Sequence, residues 1–199
     1  MVYLSRNCCN VCLYKINTNF PADYIPFTDS FILIAQQSTQ PVDAHEIWAR
    51  NYEPFCIVGN LYYVGTYDLA CFLISTPQGH ILINTGIEGS DSLIRSHIEE
   101  LGFKFADIKI LLATHVHFDH VGAMAVIKKI TGAKMMIQKE DAEVLADGGN
   151  SDYLFGGRGP LFKPLKADRL LHDKDTISLG GMEIVALHHP GHTKGACSY

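Results

Sequence analysis

Three imidazoles and a carboxylate stand within six residues at His115-Val116-His117-Phe118-Asp119-His120, a donor set suited to two adjacent divalent metal ions. Alternate residues of an extended segment project to the same side, so His115 and His117 can serve one ion. Asp119 and His120, where the chain turns toward the next helix, can serve a second. A tetrahedral catalytic zinc needs three protein ligands and an open position for water, so two histidines leave one donor to come from another loop. His188-His189-Pro190-Gly191-His192-Thr193 offers it directly after the apolar run Ile184 to Leu187. His192 is the candidate, because Pro190 and Gly191 end the strand in a tight turn that lifts the ring away from the sheet edge.

Histidine clusters also arise by chance, and a lone H-x-H would carry little weight; the Pro-Gly-His loop after a second strand is what makes the set specific. The remaining histidines read differently. His45, His80, His97 and His172 sit in polar or turn-like surroundings and are expected to be solvated. One of His188 and His189 is expected to pack or hydrogen-bond beside the metal ligands, which need such partners. No G-x-S-x-G or S-x-x-K arrangement offers a serine nucleophile.

The elements that must position these residues follow an α/β rhythm. Strands are predicted near Leu61 to Val64, Cys71 to Ser75 and His80 to Asn84, then a helix from Ser90 to Leu101 that Gly102 stops. Ile108 to Ala113 is a buried strand, so Thr114 onward is the loop at its C-terminal end, where ligands of α/β proteins gather. A helix over Val121 to Ile130 ended by Gly132, a strand over Lys134 to Gln138 and a short helix over Lys139 to Leu145 follow. Asp147 to Pro164 carries five glycines with Tyr153, Phe155 and Phe162, and reads as a loop. From Asp168 short strands flank the Asp173-Lys174-Asp175 turn, and Gly180-Gly181 turns a hairpin into Met182 to Leu187.

The H-x-H-x-D-H loop, the Pro190-Gly191-His192-Thr193 loop and the Asn84-Thr85-Gly86 turn after a strand together resemble the metallo-β-lactamase superfamily. Trp48, Pro54-Phe55, Gly59-Asn60, Tyr62 to Thr66, Gly79 to Ile83 and Asp147-Gly148-Gly149 through Phe155-Gly156 resemble the zinc β-lactamases of subclass B3. The resemblance implies an αββα sandwich with two Zn2+ per complete domain: His115, His117 and His192 on the first, Asp119 and His120 on the second. It implies hydrolysis of the β-lactam ring of penicillins, cephalosporins or carbapenems by a metal-bound hydroxide, which Asp119 ligates and orients. The alternatives are a thioester or lactone hydrolase of the same fold, or an inactive remnant that binds one zinc. Asn84 stands where the superfamily often has aspartate, and Lys194 and Ala196 where the subclass usually has proline and serine. The loop aromatics are expected to flank an apolar substrate side chain. The second zinc lacks its third ligand, a histidine expected beyond Tyr199, so the sandwich is read as incomplete at the C-terminus, with Ile184, Val185 and Leu187 lacking their covering layer.

A length of 199 residues allows one domain, read as residues 37–199, after an atypical leader or signal-peptide remnant over residues 1–36. Ser30 to Gln36 looks like the end of a signal peptide, but no intact one is present, since the longest apolar run there is Phe31 to Ala35. The complete form is expected to be periplasmic or secreted. Six cysteines show no pairing pattern; Cys197, five residues after His192, is a thiol near enough in sequence to be weighed as an adventitious ligand. No run approaches the ~20 apolar residues of a membrane span. A formal charge of -5 gives no basic footprint for nucleic acid. The expected partner is a small β-lactam.

Overall fold

The computed structural model describes residues 44–199, and the expected leader lies outside them. The chain opens with helix α1 (Ala44–Ala49) and a meander of β1 (Phe55–Val58), β2 (Leu61–Tyr63), β3 (Phe72–Thr76) and β4 (Gly79–Ile83). Then come α2 (Asp91–Glu100), β5 (Ile108–Leu112), α3 (Phe118–Val121), α4 (Met124–Thr131), β6 (Lys134–Gln138), α5 (Ala142–Asp147) and β7 (Arg169–Leu171). Strands β8 (Thr176–Leu179), β9 (Met182–Val185), β10 (Leu187–His188) and β11 (Cys197–Ser198) finish it. Strands β1 to β7 form one sheet in sequence order, antiparallel from β1 to β4 and parallel from β4 to β7.

Sequence dictates the two faces. Strand β4 is buried along its whole length, the pattern of a strand covered on both sides. Its Leu82 joins Leu111, Met135 and Ile137 under Ile94 and Ile98 of α2 and Met124 and Ile127 of α4. Ile81 and Ile83 point the other way, with Ile110, Leu112 and Met136, against Ile177 and Ile184 of the β8–β9 hairpin. Each such fully buried side chain contributes roughly 1.5–3 kcal/mol. The layers are therefore helix, sheet and a second, smaller β layer, as expected for the first part of an αββα sandwich.

That second layer leaves apolar surface uncovered. Ile184 is buried, but Val185 and Leu187 stay 42% and 41% exposed. They line an open groove of 520 Å³ with Leu61, Phe72, Ile74 and Tyr199. No helix among the described residues is long and apolar enough to cross a membrane.

One prediction changes in form. The helix expected over Val121 to Ile130 is α4, which starts only at Met124; a separate short helix, α3, ends at Val121, with Gly122-Ala123 between the two. Gly122 donates its N–H to Gly86 O at 2.9 Å. A side chain at Gly122 would place its Cβ 2.4 Å from Glu88 N and 2.5 Å from Ile87 C. The break lets the end of the metal loop lie flat on the Asn84-Thr85-Gly86 turn.

Parallel pairing fixes where the chemistry sits. Ile83 is level with Leu112, and Leu112 with Met136, so β4, β5 and β6 end at one rim. The segments that follow them, from Asn84, Thr114 and Gln138, share that rim.

Candidate metal centre

His115 and His117 follow β5, and His117, in extended backbone, is the N-cap of the four-residue α3, which carries Asp119 and His120. His192 arrives from the connection between β10 and β11. Cys197 N–H donates to Thr114 O at 2.8 Å, and Tyr199 Oη donates to Ala113 O at 3.0 Å. These bonds pin the β10–β11 hairpin to the end of β5 and bring the second loop against the first.

Ligand nitrogens of His115, His117 and His192 lie within 4.8 Å of one another. His117 Nδ1 and His192 Nε2 are 3.1 Å apart, near the ~3.3 Å spanned by two nitrogens each ~2.0–2.1 Å from one tetrahedral zinc. The rings stand nearly perpendicular, His115 to His117 at 87° and His115 to His192 at 84°. His115 Nε2 is shielded from solvent and meets no hydrogen-bonding partner. Such an orphan costs about 1–3 kcal/mol, and a cation among the three rings would satisfy it. The donor set therefore fits a zinc ion. Burial, then the neighbouring His120, His117 and His192, push His115 down from 6.5 to about 3. It stays neutral near pH 7, with a lone pair free for a metal.

A second set unites His115, Asp119 and His120, again with donors within 4.8 Å of one another. Burial lowers the pKa of His120, Asp119 opposes this, and the His117 and His192 rings add to it. Asp119 Oδ2 is 3.5 Å from His120 Nε2. His115 belongs to both sets, and its Nδ1 faces Thr114 Oγ1 at 3.4 Å. With Nε2 as its open nitrogen, His115 completes one set or the other.

The supports are as ordered as the donors. Asn84 Oδ1 accepts from Thr114 N–H at 2.9 Å and Thr114 Oγ1–H at 3.3 Å, so the asparagine does the acceptor work expected of aspartate. Its backbone is left-handed, φ 61°, a conformation asparagine tolerates well. Asp152, 4% exposed, faces His117 Nε2 with Oδ2 at 3.1 Å, while its Oδ1 accepts from the N–H groups of Leu154 and Phe155, each at 2.8 Å. Phe155 packs edge-on to the His117 ring at 5.1 Å. Tyr153 Oη donates to Gly191 O and to His192 O. The glycine-rich loop is thus fastened to both metal loops.

All five sequence-identified donors, His115, His117, Asp119, His120 and His192, meet at the rim. Other expectations need correction. His188 and His189 belong to neither donor set and are bonded instead through Nε2 to Lys194 O and Ser198 Oγ, both 2.9 Å. Cys197 donates toward Ala113 O and Tyr199 Oη within the β10–β11 pairing, and burial raises its pKa, so its sulfur is no ligand. His80 and His97 are buried, not solvated; His97 bonds Val64 O at 3.0 Å and Asn51 Oδ1 at 2.7 Å. His172 is exposed as expected, and the His45 side chain lies outside the described residues. Phe162 belongs to the core under α5. Asp141 and Asp152 escaped the sequence reading. Their signal was faint: an acid just past a parallel strand's C-terminal end, and an Asp opening a turn in a glycine-rich loop.

Residues 66–199 match the family model described as the metallo-beta-lactamase superfamily. The chain belongs to that superfamily. A solved structure of a β-lactamase from Chitinophaga pinensis is similar at 63% identity and a TM-score of 0.75, over 80% of this chain and 60% of that one. A class B3 di-zinc metallo-β-lactamase from an Alaskan soil metagenome is similar at 61% identity and a TM-score of 0.76, over 79% and 60% of the two chains. Among curated relatives, an acyl-coenzyme A thioesterase of Gallus gallus is 29% identical over 102 residues, 44% of this chain and 35% of its own length. This metallo-β-lactamase-fold chain spans 60% of the length of the two solved structures and 37–58% of other curated relatives. Superfamily membership supports a metal-binding hydrolase.

Proposed function

We propose that the chain carries the zinc centre of a β-lactamase that opens the lactam amide by hydrolysis. The observation that supports this most is the meeting of His115, His117 and His192, with His115 Nε2 buried and unpartnered, in a chain 61–63% identical to β-lactamases of known structure.

His115, His117 and His192 would hold the first ion, and Asp119 with His120 would contribute to a second. Zinc held there would supply a Lewis acid for the lactam carbonyl and would make a water acidic enough to ionise near neutral pH. The chain's own residues do the rest. Asp119, the acidic donor of the second set, would ligate and orient the attacking hydroxide. Asp152 keeps the His117 ring in place. Phe155, 36% exposed beside His117, and the exposed Leu154 before it in the loop offer apolar contact to a substrate side chain. On this reading the full-length protein is exported and protects a bacterial host, which a drop in β-lactam susceptibility on expression would bear out.

The second reading is thioester hydrolysis, favoured by the thioesterase relative. A chain that binds one zinc without turnover is a third, favoured by the sharing of His115 between both donor sets. Ring opening of a carbapenem, followed by ultraviolet absorbance beside acyl-coenzyme A cleavage and metal content, separates the three. Chelator-sensitive loss of the carbapenem band supports the lactamase. Thioester cleavage alone, or one zinc with neither activity, defeats it.

A further inference from the structure

Asp141 occupies the N-cap of α5, yet its carboxylate makes no hydrogen bond to the helix it opens. An N-cap aspartate usually accepts from the first turn. Here the side chain, in a residue only 1% exposed, is turned to the two metal loops. Oδ2 accepts from Val116 N–H at 3.1 Å, between His115 and His117. The same oxygen accepts from Thr193 Oγ1–H at 2.7 Å, one residue after His192. Oδ1 accepts from Gly195 N–H at 2.7 Å. Gly195 lies so close that a Cβ there would stand 2.6 Å from Asp141 Cγ and 2.7 Å from Asp141 N. One buried carboxylate therefore ties together loops 77 residues apart in sequence, counted from Val116 to Thr193.

We infer that Asp141 is a positioning residue that holds the His115–His117 and His192 loops at ligand spacing and thereby sets metal affinity. It touches no ligand ring; it acts through the backbone on either side of the ligands. The inference rests on reading those histidines as metal ligands. Three donors converge on two oxygens, and charge-assisted bonds of this kind are the stronger sort. An amide in the same place has one acceptor oxygen and turns an NH2 toward a donor it should receive. Thr193→Val deletes one bond and keeps the volume.

The test is zinc affinity, measured by competition with a chromophoric chelator, for the whole chain, D141N, T193V and the exposed neighbour control E140Q. Zinc-induced rise in melting temperature is read in parallel. Positioning predicts that D141N binds zinc about 10–100-fold more weakly, the range for groups that orient metal ligands. T193V should lose less, E140Q nothing, and the zinc-induced rise should shrink in step. If D141N and T193V melt lower without metal but bind zinc as tightly as the parent, the role is structural and the inference falls. Should D141N fail to fold, T193V decides by the same criterion. A parent chain that takes up no zinc overturns the inference together with the metal reading. Zinc binding that follows the predicted order without lactam ring opening supports the inference and sinks only the substrate assignment.

Discussion

Asp152 joins a candidate ligand to a loop. Its Oδ2 faces His117 Nε2 and its Oδ1 receives two backbone N–H groups. Asp152→Asn keeps an acceptor for the backbone pair, while Asp152→Ala removes both functions. Zinc affinity should fall about 10–100-fold in either variant. Amide exchange at Leu154 and Phe155 should quicken strongly in Asp152→Ala alone. Equal exchange in the two variants would show that the loop does not depend on this carboxylate. At this scale sequence was generous with ligands and silent on their supports. Three histidines and an Asp-His pair announce themselves by type and spacing. Asp141 and Asp152 look like any surface acid until the fold buries them. His80 and His97 misled for the same reason, since their helix and strand positions could not say that Phe103 and Val64 would lie against them.

Between elements, Lys128 of α4 pairs with Asp168, which leads into β7 and also accepts from Met135 N–H at 2.7 Å. Burial raises the Asp168 pKa, but the Lys128 hydrogen bond, the Met135 N–H and the charges of Lys128 and Lys134 outweigh it. The net is below the ordinary 3.8. The folded state then binds fewer protons than the unfolded one near pH 4, so this contribution is present above that pH and is lost as pH falls through the lowered value. The Asp168 side chain is 41% exposed, so screening keeps it under about 1 kcal/mol. Asp168→Asn should show a small stability deficit at pH 7 in urea melts that closes below pH 4; a deficit constant with pH would contradict the pairing. Gly122→Ala tests a different joint. Its Cβ would meet backbone atoms that cannot swing aside, so a loss of about 3 kcal/mol, the upper end of overpacking costs, is expected by thermal denaturation. A neutral outcome would mean that the α3–α4 break is free to move. Strands β4, β5 and β6 were readable because apolar runs bounded by Gly or polar turns leave little choice. The break at Gly122 was not, because a glycine inside a helical pattern has the same local signal whether it is tolerated or required.

Over the whole molecule, two apolar cores lie on opposite faces of one sheet, and only the helical face is closed. Val185, Leu187, Ile74 and Phe72 border the open groove, and exposed apolar surface of this kind promotes association. The folded chain should bind a hydrophobic fluorescent dye and self-associate as concentration rises, with Val185→Lys reducing both; a dye-silent monomer at high concentration would count against the groove being open in solution. The closed face and the parallel rim carry the functional claim, since they bring donors from two distant loops to one point. Zinc K-edge X-ray absorption on the chain loaded with one equivalent of zinc tests that most directly. The expected result is about three imidazole nitrogens at ~2.0–2.1 Å plus a light-atom donor. A sulfur shell near ~2.3 Å, or an oxygen-only shell, would contradict it.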